Sequence, residues 1–169
     1  MIPVGVIMGS DSDFKVMEEA LDILEHFQVP YEVKVSSAHR SLEQTINWVK
    51  KFEGQGGNLI IAAAGLAAHL PGVIAGATIL PVIGVPIRSG ALEGVDALYS
   101  IVQMPPGIPV ATVGIGAARN AGILAVQILA QGDHSLRLAL KDFKTKMAAD
   151  VEAKDGVIQA RLKKKAKTV

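Results

Sequence analysis

The feature that most constrains this chain is an alternation. Five short apolar runs, at 3–8, 31–35, 58–63, 81–85 and 109–115, are each followed by a turn bearing Gly or Ser. Their length suits strands, and most are too uniformly apolar to keep a wet face. Between them apolar residues fall at helical spacing. Phe14, Met17, Leu21, Leu24 and Phe27 alternate with Glu18, Glu19, Asp22 and Glu25, and Leu42, Ile46, Val49 and Phe52 form a second stripe. Segments 67–77, 92–102 and 120–131 read as further helices, the last apolar enough to be buried on several sides. Alternation of this kind implies parallel strands joined by crossovers. The expected fold is α/β, a three-layer open parallel sheet, flavodoxin-like or Rossmann-like; the pattern alone leaves the strand order open.

A length of 169 residues favours one domain over 1–169 with one core. With only 4% aromatic residues, Val, Ile, Leu and Ala must fill that core. From His134 onward Leu136, Leu140, Phe143, Met147 and Val151 make an amphipathic stripe, so 134–169 reads as a C-terminal helix. Lys163, Lys164, Lys165 and Lys167 then read as a solvated basic tail. A net charge of +1, without interleaved aromatic and basic residues, gives no footing for nucleic acid. The absence of Cys excludes disulfides, thiol nucleophiles and Cys-based metal sites. No basic leader precedes the first apolar run, and no run is long enough to span a bilayer, so a cytoplasmic protein without membrane partners is expected.

In open α/β sheets ligands bind outside the carboxyl ends of the strands. After the first strand come Gly9, Ser10, Asp11, Ser12 and Asp13, which can cap a helix or offer its free amides to an anion or sugar. After the second come Ser36, Ser37, Ala38, His39 and Arg40. Arg suits a phosphate or carboxylate, and His can move a proton near neutral pH. After the third, 63–72 is rich in Ala and Gly, which suits tight sheet–helix packing or close backbone approach to a flat ligand; His69 is the residue that packing leaves unexplained. Arg88 and Arg119 follow the fourth and fifth strands, and each can face the pocket, a subunit contact or solvent. His26 and His134 read as surface residues. No P-loop and no Gly-x-Gly-x-x-Gly fingerprint follows the first strand. Two histidines without Cys or an acidic cluster do not make a typical zinc site.

Several of these segments, taken in order, resemble the PurE family. They are Gly-Ser-x-Ser-Asp at 9–13, Ser-Ala-His-Arg at 37–40, Ala-Ala-His-Leu-Pro-Gly at 67–72 and Pro-Val-Ile-Gly-Val-Pro at 81–86. Gly94-Val95-Asp96 leading to Tyr99-Ser100-Ile101-Val102-Gln103, and Met-Pro-Pro-Gly-Ile-Pro-Val-Ala at 104–111, continue the match. Arg40 and the His69 loop are similar to class I, the mutases that turn N5-carboxyaminoimidazole ribonucleotide into the 4-carboxy isomer in purine (IMP) biosynthesis. Class II carboxylases, which use aminoimidazole ribonucleotide and carbon dioxide directly, tend to carry Lys after the His. The resemblance implies decarboxylation and recarboxylation with trapped carbon dioxide. It implies that His39 handles the proton of ring carbon 4, and that the 65–71 loop, with His69, holds the carbon dioxide. Ser10 and Asp13 would bind the ribose phosphate and Arg40 its charge. Gly9, Ser12, Ser37, Ala38, Gly65, Ala68 and Leu70 would complete the substrate site. It implies no cofactor, no metal, and a homo-oligomer, an octamer. Two departures stand out: Leu66 where the family usually has Gly, and a shorter stretch at 116–122.

Other readings remain. A direct carboxylase is disfavoured by Arg40. PurE-like enzymes that carboxylate a pyridinium nucleotide usually carry an extra N-terminal region, and here the first strand begins at Pro3. A non-catalytic nucleotide-binding or response-regulator module would share the architecture. Asp11 and Asp13 mimic part of a phosphoacceptor cluster, but no Asp ends the third strand and no Lys follows the fifth.

Overall fold

The apolar runs with no wet face become the middle of a sheet. In the computed structural model, which describes residues 2–166, β1 (Val4–Met8), β3 (Leu59–Gly65) and β4 (Val82–Ile87) are buried at nearly every position. Strands that hide both faces need helices on both sides. The chain supplies α1 (Phe14–His26), α2 (Leu42–Gly54), α3 (Leu70–Ala77), α4 (Val95–Val102) and α5 (Ala118–Leu129), with β2 (Tyr31–Val35) and β5 (Ala111–Thr112) at the sheet edges and α6 (His134–Ala166) last. On one face Trp48, Val49 and Phe52 of α2, Leu70 and Ile74 of α3, and Ala97 and Ile101 of α4 share a cluster with β1, β3 and β4. Each large aliphatic side chain enclosed there contributes about 1.5–3 kcal/mol. On the other face α1 packs on α5. Gly122 permits that approach: a Cβ there would stand 2.9 Å from the Ala20 carbonyl oxygen and from Ile23 Cβ.

All pairings are parallel, and the strand order is β2-β1-β3-β4-β5. This is the flavodoxin-like order and decides between the two expected arrangements. The edges differ from the middle. β2 carries Glu32 and Lys34 and is half exposed, as an edge strand must be. β5 shortens to two residues within the expected 109–115. Pro109 has no N–H for a ladder, and Gly116, at φ 70, turns the chain away while its N–H bonds the Pro86 carbonyl at 2.8 Å. α3 and α4 begin three residues later than the hydrophobic spacing suggests. Left-handed residues precede each, Leu66 at φ 55 and Gly94 at φ 90, and lengthen the loops at the sheet's carboxyl edge.

The chain divides into two compact units, Met1–Leu129 and Ala130–Val169. In the second, Asp133 caps α6 by accepting from the amides of Ser135 (2.8 Å) and Leu136 (3.1 Å). Hydrogen bonds from the Ser135 hydroxyl and these amides hold its carboxyl below the usual carboxylate range. Along the predicted stripe Leu140 is buried, Leu136 and Phe143 are half buried, and Met147 and Val151 are exposed. Lys163 is exposed on α6; the side chains of Lys164 and Lys165, and all of Lys167, lie outside the described residues.

Candidate active site

Between β1 and β3 the sheet reverses its direction of growth, and a cleft of about 430 Å³ opens outside the strand ends there. The β1 loop contributes Gly9, Ser10, Ser12 and Asp13, and the β2 loop Ser37, Ala38, His39 and Arg40. The β3 end and its loop contribute Ala64, Gly65, Leu66, Ala67, His69 and Leu70, and the β4 loop Ser89.

The β1 loop is locally determined. Ser10 is extended, and one 3-10 turn follows over Asp11–Asp13. The Ser10 hydroxyl oxygen accepts from the Ser12 amide (3.3 Å) and hydroxyl (2.8 Å). Capping and cleft lining are therefore both served by the same residues. Asp13 is buried, and desolvation pushes its carboxyl above the usual range; hydrogen bonds from the Ser10 backbone and the Ser12 hydroxyl oppose that shift, and the nearby Asp11 charge adds to it.

The β2 loop is held by hydroxyls. Ser36 Oγ bonds Thr45 Oγ1 at 2.8 Å and Ser41 Oγ at 3.2 Å. The Ser37 amide donates to Ser41 Oγ, and the Arg40 amide to Ser37 Oγ at 3.3 Å. These bonds fold 36–41 into a tight turn that presents His39 and Arg40 outward. His39 Nε2 lies 2.6 Å from His69 Nδ1, with the rings edge to face at 4.8 Å. A bond at that contact needs one N–H and one bare nitrogen, so a proton taken up by one ring can pass to the other. The pair also walls a second, more apolar hollow of about 420 Å³, with Leu42, Gly72, Val73, Ser100 and Met104.

The β3 loop departs from economy at Leu66. Its φ of 55 is a conformation that costs a branched residue about 1–3 kcal/mol.

Of the residues that the resemblance assigns to the catalytic and substrate site, all but Ala68 line the cleft; Ala68 is buried in the core, 1% exposed. It belongs to the apolar cluster shared with Leu70 and Ile74, while its neighbours Ala67 and His69 line the cleft. Ser89 lies in a strand-end turn, and its position against Gly65 makes it a cleft residue. Arg88 is not on the cleft; it forms an exposed ion pair with Glu93 at 3.4 Å. Arg119, near the start of α5, and His26 and His134 also lie off it. Among the described residues no three His, Cys, Asp or Glu side chains converge as a metal site would require.

Residues 3–150 match the family described as AIR carboxylase. The chain belongs to that family. Among its AIR carboxylase relatives, a protein from Mycobacterium leprae named N5-carboxyaminoimidazole ribonucleotide mutase is 53% identical over 156 residues, covering 92% of this chain and 91% of that one. A protein of the same name from Pyrococcus horikoshii is 57% identical over 148 residues, covering 85% and 84%. The crystal structure of Treponema denticola PurE superposes with a TM-score of 0.84 at 29% identity, covering 90% of this chain and 96% of that one.

Proposed function

We propose that this chain is an N5-carboxyaminoimidazole ribonucleotide mutase of purine biosynthesis, an isomerase that moves a carboxyl group from the exocyclic nitrogen to ring carbon 4. The observation that carries the reading is identity above one half, along most of both chains, to proteins of that name. The cleft supports it with a matching division of chemistry.

In this reading Ser10, Ser12 and Asp13 hold the ribose phosphate portion with Ser37, and Arg40 balances the phosphate charge. The aminoimidazole lies along the small residues of the β3 loop. The bond between the exocyclic nitrogen and the carboxyl carbon breaks, releasing carbon dioxide as the nitrogen takes a proton. Ring carbon 4 attacks the carbon dioxide, a carbon–carbon bond forms, and carbon 4 loses its proton. Protons and electrons balance, so no oxidant, reductant or ATP enters. His39 takes the carbon 4 proton and His69, in hydrogen-bond contact, shares it. Holding ring and carbon dioxide together supplies the proximity contribution.

The reading extends to assembly. A homo-oligomer, an octamer, would cover the second hollow beside the His pair, where Leu42, Tyr99 and Val102 are exposed nearby on α2 and α4. We also propose that the whole chain acts as one enzyme domain and that it works in the cytoplasm. No described helix is long and apolar enough to cross a membrane. Sedimentation reporting only monomer would overturn the assembly.

The test of the reaction is turnover of N5-carboxyaminoimidazole ribonucleotide without ATP or added bicarbonate. The expected result is the carbon-carboxylated isomer. Product only from aminoimidazole ribonucleotide and carbon dioxide would make the chain a direct carboxylase; no product from either would leave a binding module.

A further inference from the structure

Ser41 stands at the N-cap of α2 yet does not cap it: its side chain makes no bond to the first amides of the helix. A serine in that place normally accepts from the second or third helical amide. Here the hydroxyl turns back. It accepts from the Ser37 amide at 3.2 Å and can donate to the Ser37 carbonyl oxygen at 3.0 Å. The capping bond gives way to one that closes the turn carrying His39 and Arg40.

Two buried hydroxyls stand behind it. Thr45 is fully enclosed and Ser36 is 6% exposed. A buried hydroxyl is unfavourable unless it is bonded, and valine has the shape of threonine, so packing alone does not demand them. The proton inventory sets their order. The Ser41 carbonyl can only accept, so Thr45 donates to it at 3.1 Å, and Thr45 Oγ1 then accepts from Ser36 at 2.8 Å. The Ser41 proton is left for the Ser37 carbonyl or for Ser36 Oγ, 3.2 Å away. Both ends of this chain are fixed. The Ser36 amide bonds the Met8 carbonyl of β1 at 3.0 Å, and Trp48, Val49 and Phe52 anchor α2 in the core cluster. His39 and Arg40 are exposed, so burial does not hold them in place.

We propose that Ser36 and Thr45 are positioning residues that, through Ser41, fix the 37–41 turn so that His39 Nε2 meets His69 Nδ1. Neither lines the cleft. The catalytic consequence rests on the mutase reading above. A proton passes between the rings only across a contact as short as their 2.6 Å, and a displacement of about 1 Å can cost about 100-fold in rate.

The test removes both hydroxyls together. Ser36→Ala/Thr45→Val replaces the two partners of a buried bond by apolar groups, which can be nearly neutral for stability. Melting temperature, kcat at saturating substrate and the His39–His69 separation in a crystal structure are measured for it and for the wild type. It is expected to melt within about 3 °C of the wild type while kcat falls about tenfold. The Nε2–Nδ1 separation is expected to open beyond about 3.5 Å. Thr45→Ser, which keeps the hydroxyl, should hold kcat within about twofold of the wild type, and Thr45→Val should not. In a His39→Asn background the two substitutions should change kcat by less than about twofold, because the group they position is gone. Either wild-type kcat or an unchanged separation in Ser36→Ala/Thr45→Val overturns the proposal. An equal loss of kcat in the His39→Asn background overturns it too, as does a loss seen only with a larger fall in melting temperature. If the double variant does not fold, Thr45→Val, in which Ser36 keeps Ser41 as a partner, takes its place in the same measurements. Wild-type protein that turns over no N5-carboxyaminoimidazole ribonucleotide would remove the mutase reading, and the separation in the crystal structures would still decide whether the hydroxyls place the pair.

Discussion

If His39 and His69 relay one proton, they are one catalytic unit, and their mutants must behave as one. Their nitrogens are 2.6 Å apart, a contact too short for two independent roles at that bond. General acid/base help is worth about two to four powers of ten, which is roughly 3–5.5 kcal/mol at 1.36 kcal/mol per tenfold. His39→Asn is therefore expected to lower kcat about 10²- to 10⁴-fold with nucleotide binding retained, because Asn keeps a polar side chain of similar reach but cannot take up the proton. His69→Asn is expected to fall in the same range. The double variant should be no more than about tenfold slower than the worse single one, since the relay is already broken. The assay is kcat at saturating substrate for all four forms, with product affinity by calorimetry to show that each still binds. Losses that multiply, to about 10⁴- to 10⁸-fold in the double variant, would refute a shared proton, and near-normal turnover of His39→Asn would remove the proton role altogether.

Three further outcomes are expected. Gly122→Ala should lower the melting temperature by about 3–6 °C, because a methyl against the Ala20 carbonyl and Ile23 overpacks the α1–α5 contact by more than the helix propensity of Ala returns; a higher melting temperature would refute that contact. Burial raises the Asp13 pKa in the folded chain, so ionised Asp13 weakens the fold above that pKa and stops doing so as pH falls through it. Asp13→Asn should therefore melt higher than wild type at neutral pH while binding substrate less well, with the gap closing toward acid; a gap independent of pH would count against the burial argument. Arg40→Ala should raise KM about 10- to 100-fold, the worth of a charged hydrogen bond, with little change in kcat, and the difference should vanish for a substrate lacking the phosphate.

Five strands and six helices were legible because apolar runs of strand length and stripes of helical spacing are direct images of burial. What periodicity does not carry is what the edges and loops decide. The strand order depends on which crossover goes to which side, and no local pattern distinguishes β3 placed beside β1 from β3 placed beside β2. β5 shrank because Pro109 and Gly116 act on hydrogen bonds and φ rather than on hydrophobicity. In the site, Ser10, Asp13, His39, Arg40 and His69 stood out because polar or titratable residues at strand ends have few structural reasons to be there. Ala68 did not separate from its neighbours in the sequence. Three adjacent small or apolar residues look alike until the backbone turns one methyl into the core and another toward the cleft. Ser89 lay hidden for the opposite reason: a serine before glycine reads as an ordinary turn, and only the approach of the β3 end makes it a wall of the site.

The strand order also explains why the histidine pair stands where it does. His39 follows β2 and His69 follows β3, and β1 runs between those strands, so their backbones are separated by two strand spacings, about 10 Å. The rings meet across the end of β1, where Gly9 presents no side chain; its amide instead bonds the Ala63 carbonyl at 3.2 Å. The Ser10 side chain leaves the same strand end one residue later and lines the cleft. The histidine pair and the Ser10 hydroxyl therefore line one cleft around the end of β1. A carboxyl group that shifts by only a few atoms within one substrate suits such a site, because nothing in the reaction requires the ring to be released or turned.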